Sequence, residues 1–207
     1  MTLKLVGSSS GHTSIEAPAS AGSNTLVLPV NNGTAGQYLK TDGNGNLSWV
    51  DPPDNKPIVM AYRSASDSIS LTSDVFTDAT WLNTDLIDTD NAWNTSTATF
   101  TVPSGKGGKY VIAAGANAYS NSNNMREFRP RIVKNGANDT YIAQYAHIPT
   151  NDGHRHVQAN IHAIVPLDAG DWLRFQVNIK VASGAVYISN DGSGKMSNYF
   201  SAYRLLE

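Results

Sequence analysis

A chain of 207 residues, 40% hydrophobic, can close a core, yet its 15% charged residues fall below the usual quarter of a soluble domain. A formal charge of −2 and a pI near 6.2 argue against a nucleic-acid partner. Without cysteine the chain can form no disulfide, thiolate metal site or thiol nucleophile, so burial between subunits is the expected source of durability.

In chain order, Met1 to Ser10 holds one lysine and the short apolar piece Leu3 to Val6. That piece is too short for a signal-peptide core, and no later run is long enough to span a membrane. The composition faces outward without an export signal, which is the expectation for a particle assembled in a cytoplasm and released by lysis. Met1 to Asp51 reads as extended and rich in Gly, Ser and Asn, as in Ser8-Ser9-Ser10-Gly11 and Ala19-Ser20-Ala21-Gly22-Ser23. Thr25 to Leu28 and Leu47 to Val50 are β-like, the second after the turn signal Asp42-Gly43-Asn44-Gly45. The proline cluster Pro52 to Pro57 then sets a stiff boundary. This gives an attachment or fibre-like segment over 1–57 and a second domain over 58–207.

The second domain alternates short Val/Ile/Tyr/Phe segments with turns. The expected strands are Ile58 to Arg63, Asp67 to Val75, Thr97 to Val102, Tyr110 to Ala118 and Phe128 to Lys134. Thr140 to His147, His156 to Val165, Trp172 to Val181, Val186 to Ser189 and Tyr199 to Leu205 complete the set. Asn135-Gly136, Asp152-Gly153, Ala169-Gly170 and Asp191-Gly192-Ser193-Gly194 mark turns. Many strands without helical periodicity predict an all-β sandwich or barrel. From His156 on, Val157, Ala159, Ile161, Ala163 and Val165 alternate with His156, Gln158, Asn160, His162 and Ile164, a half-buried strand whose polar face ends on an apolar residue.

Phe100-Thr101-Val102-Pro103 with Gly108-Lys109-Tyr110, and Lys134-Asn135-Gly136, resemble the F-x-x-P…G-x-Y element and the K-N-G hairpin of the complement-q and tumour-necrosis-factor-like jelly rolls. Leu167-Asp168-Ala169-Gly170-Asp171 resembles the family's L-x-x-G-D turn, and Tyr199 to Leu206 its closing strand, with Ala202 and Arg204 as departures. Asp88 and Trp93 stand where the family has an Asp and then an aromatic. The resemblance implies a jelly-roll sandwich and a homotrimer. Asn32 to Val50 resembles a segment recurrent in structural proteins of tailed phages, especially those of cyanobacteria and marine bacteria. This implies a virion protein, a trimeric tail-fibre knob or head-decoration protein. Its N-terminal segment would meet other virion proteins, and its knob would meet a host surface glycan or protein. A polysaccharide-degrading or carbohydrate-binding module of the particle is the alternative.

In such a trimer the aromatic residues of one sheet's outer face become interface. Trp93, Tyr119, Tyr199 and Tyr203 are the candidates, with His156 and His162 on the polar face of their strand; filling the subunit's own core is the competing role. His154 and His156 alternate and suit a transition metal or ordinary hydrogen bonding. Asp85, Asp88 and Asp90, with Asn91 and Asn94, form an oxygen-rich stretch that suits calcium or plain solvation, and some complement-q-like trimers hold calcium. No other cofactor is expected. Ser104 to Lys109 lacks the residues of a phosphate loop, and no Gly-x-Ser-x-Gly elbow or other catalytic set stands out, so an enzyme is not expected. The glycosylation patterns at Asn94 and Asn138 read as chance matches.

Overall fold

The computed structural model describes residues 2–65, 67–136, 141–146, 154–189 and 197–206. The turn signals Asp152-Gly153 and Asp191 to Gly194, the Asn138-Asp139-Thr140 pattern, and the strand ends at Thr140 and His147 lie outside them.

The chain divides into two compact units, Met1–Pro53 and Asp54–Glu207. The first unit holds two hairpins, β1 (Thr2–Val6) with β2 (His12–Glu16) and β3 (Tyr38–Thr41) with β4 (Leu47–Val50). Thr25 to Leu28 contributes only a bridge between Val27 and Asn46. Turn chemistry builds the second hairpin. Asp42 accepts the backbone N–H groups of Asn44 (2.8 Å) and Asn46 (3.1 Å), and Gly43 and Gly45 take the left-handed conformations between them.

The second unit is β5 (Ile58–Tyr62), β6 (Ile69–Leu71), β7 (Thr77–Asp78), β8 (Thr84–Asp88), β9 (Trp93–Asn94), β10 (Thr99–Thr101), β11 (Gly108–Ser120) and β12 (Met125–Lys134). It continues with β13 (Tyr141–Gln144), β14 (His156–Leu167), β15 (Trp172–Val181), β16 (Val186–Ile188) and β17 (Tyr199–Arg204). One sheet runs β6-β16-β11-β17-β5-β8 with β14 on the other side of β11; the second runs β13-β12-β15-β10-β9 with β7 against β15. The eight main strands therefore interleave as β14-β11-β17-β5 over β13-β12-β15-β10, the strand order of a jelly roll. The all-β jelly-roll sandwich expected from sequence is the fold.

Period two makes the core. On β15, Leu173, Phe175, Val177 and Ile179 face inward and Arg174, Gln176, Asn178 and Lys180 face out. Phe100, Tyr110, Phe128 and Phe200 meet them between the sheets, all fully buried. The outer face of β15 is covered by the segment through Asp74, Phe76 and Asp78. Asp74 takes Lys180 (2.7 Å) and Arg129 (3.2 Å), Asp78 takes Arg174 (3.1 Å), and Phe76 lies under the Arg131 guanidinium at 3.5 Å. This covering explains why Gln176 and Asn178 are buried on an outward face.

The resemblance motifs turn out to be structural joints. Asp88 accepts the backbone N–H groups of Ala92 (2.8 Å) and Trp93 (3.2 Å), which closes the turn ahead of the tryptophan. Tyr110 donates its hydroxyl to the Lys106 carbonyl at 2.6 Å, and burial pushes its phenol up to about 12. The K-N-G and L-x-x-G-D texts meet each other: Lys134 pairs with Asp171 at 2.6 Å, and the Asn135 amide bonds both Asp171 and the Trp172 N–H (2.8 Å).

Candidate functional site

The candidate site is the outward face of the seven-stranded sheet, and its map follows from register. β17 sets Tyr203 opposite Ile58 on one side and Val111 on the other, and Val111 faces Ile164 on β14. Ile58, Tyr203, Val111 and Ile164 therefore form an apolar row across four strands. The next row is Ile87, Met60, Ser201, Ala113 and His162. The third is Tyr62, Tyr199, Gly115 and Asn160, and farther along β11 stand Tyr187, Tyr119 and His156.

This face carries more apolar surface than a solvated sheet face needs. Ile164 is 69% exposed, and Ile87 and Tyr203 are 43% and 40% exposed. Ile164 is the residue that breaks the polar alternation of β14, and the break places it at the end of the apolar row. Gly115 shapes the middle of the face. A Cβ there would lie 2.7 Å from the Tyr199 ring and against the Asn160 carboxamide, so only glycine lets Tyr199 lie across β11. Burial in that position raises the Tyr199 phenol above its ordinary value. At the far end Tyr119 stacks between His156 (4.6 Å between centroids) and Tyr187 (5.6 Å), and Arg155 donates to the Tyr119 hydroxyl at 2.8 Å.

The structure brings Tyr119, His156, His162, Tyr199 and Tyr203 onto this one face. Trp93 is the correction. It is 7% exposed and stacks on Phe200 at 5.0 Å, inside the protomer's own core. The reason is the Asp88 turn, which points the side chain of β9 between the sheets.

His156 and His162 share the face but stand six residues apart on one strand, roughly 20 Å at the strand rise. Arg155 separates His154 from His156, and His154 forms a bridge to Met125. Both oxygens of Asp88 already accept backbone N–H groups, and Asp85 sits on β8 while Asp90 follows it in a short 3-10 turn. Among the described residues no group of three or more His, Asp or Glu gathers into a metal cage. Sequence reading missed Ile58, Met60, Tyr62, Ile87, Val111 and Tyr187, because each becomes a neighbour of the others only through cross-strand register. The apolar break at Ile164 was the one signal present in the text of a single strand.

No family model matches the chain, and no curated protein matches it. Among solved structures it is similar to the globular domain of zebrafish complement 1qA protein, at 14% identity and a TM-score of 0.48, over 73% of this chain and 99% of that one. It is also similar to the Eiger TNF from S. frugiperda, at 14% identity and a TM-score of 0.47, over 72% of this chain and 92% of that one. The fold assignment rests on the strand order given above.

Proposed function

We propose that this chain is a non-enzymatic structural protein of a tailed-phage virion, whose C-terminal jelly roll forms a homotrimeric knob that displays a surface for host attachment. The apolar row Ile58, Tyr203, Val111 and Ile164 on the outward sheet face carries this reading. Interface cores are apolar and rich in tyrosine, and His162 in the neighbouring row, with Asn160 and Gln158 beyond it along β14, supplies the polar rim such a core needs. The phage assignment is supported by the Asn32 to Val50 segment, and the absence of cysteine agrees with a fold held together by subunit burial. The attachment role belongs to the first unit, which would hold the particle while the knob faces out.

A charge placed in the row tests the trimer seam. Tyr203→Asp together with Ile164→Asp would bury unpaired carboxylates in every protomer, at about several kcal/mol each. Because both side chains point away from the protomer's core, the expected product is a folded monomer with a native β circular-dichroism spectrum. A variant that sediments as the wild type does, with unchanged melting, puts the row outside any interface and refutes the proposal.

A further inference from the structure

The first unit is a pair of hairpins with no interior. β1 pairs with β2 and β3 with β4, and among the described residues from 3 to 53 none is buried. Yet its sequence is not that of a solvated tail. The β1–β2 register sets Leu3 opposite Ile15 and Leu5 opposite Thr13, so these side chains share one face while Lys4, Ser14 and Glu16 share the other. The apolar face is open: Leu3, Leu5 and Ile15 are 58%, 56% and 61% exposed, and outside that face Val6, Leu26, Leu28 and Val30 are more exposed still. A two-stranded hairpin is marginal in water until something covers such a face.

We infer that residues 2–50 close their core by packing against the same residues of other copies of this chain. The inference rests on the trimer proposed above, in which linked segments would meet at an effective concentration of about millimolar. Charge favours copies over a foreign partner. Residues 1–53 carry two lysines against three acids, so copies do not repel one another and no single-sign patch exists to recruit a charged protein. Area favours it too. Side chains worth roughly 60–120 Å² each supply on the order of 600 Å² per copy, close to the ~800 Å² that each partner gives to a standard interface. Strand edges add to this, because β1 and β2 pair only with each other among the described residues and leave their outer edges for a neighbour.

Hydrogen–deuterium exchange on the full chain, read alongside native mass, tests this. In the wild-type trimer the amides of residues 2–16 should exchange at least tenfold slower than in unstructured chain. In the Leu5→Asp, Ile15→Asp variant that protection should vanish, with native mass and the exchange of residues 58–206 unchanged. A trimer with unprotected residues 2–16 overturns this inference alone and leaves the knob proposal standing. A wild-type chain that is monomeric overturns the knob proposal, and with it the closure of the hairpins by copies, whether or not residues 2–16 are protected.

Discussion

Gly115 shows how one missing side chain sets the surface above it. Its place on β11 is outward, yet it is buried, because Tyr199 and Asn160 lie across it. Gly115→Val should force both side chains off the sheet, and overpacking of this kind costs about 1–3 kcal/mol. The expected outcome is a lower urea midpoint with an unchanged slope; an unchanged midpoint would mean that Tyr199 moves freely and that the face is not packed as described. Trp93 makes the opposite point. It is aromatic and strand-borne like the tyrosines, but the Asp88 turn, closed by the N–H groups of Ala92 and Trp93, points it inward. Residue type in the sequence gave both outcomes equal standing, and only the local turn decides between them.

At the scale of elements, legibility followed local pattern. β15 was readable to its ends, Trp172 and Val181, because four apolar residues alternate with polar ones and turns flank both sides. β14 was readable with its faces for the same reason. The oxygen-rich stretch that holds Asp85 and Asp88, poor strand formers both, pairs as the edge strand β8, with a register shift between Met60 and Ala61 on β5. Asp67 to Val75 reads as one strand in sequence, whereas pairing stops after Leu71 and the chain crosses to the other sheet at β7. A change of partner sheet leaves no periodic mark. β1, β2 and β3 lie in the stretch that reads as merely extended, because the Gly, Ser and Asn around them mask their short apolar pieces. The joint between the two motif turns carries its own test. Burial opposes ionisation of Asp171, but Lys134, Asn135 and the Asp168 N–H outweigh it and hold the carboxyl below its ordinary value. The unfolded chain therefore takes up this proton first, near ~3.9. The stabilisation is fully present above about pH 4 and is lost as pH falls through the folded value. Asp171→Asn should lower the melting temperature at neutral pH and flatten its decline as pH falls below about 4; a parallel decline in the variant would show that Asp171 is not the acid-sensitive group.

The whole molecule has two surfaces that a lone protomer leaves unsatisfied, the apolar row on the jelly roll and the open faces of the hairpins. Both were only partly visible in sequence. The tyrosines and histidines of the site were legible, but the row that binds them together depends on long-range pairing of β5, β17, β11 and β14, which no single segment encodes. Association on these surfaces would supply the durability that a chain without cysteine cannot take from disulfides. Sedimentation equilibrium of the full chain at micromolar concentration tests the trimer most directly. A homotrimer gives a single species of about three times the 22.2 kDa chain mass. A species at the mass of one chain across that range would contradict it.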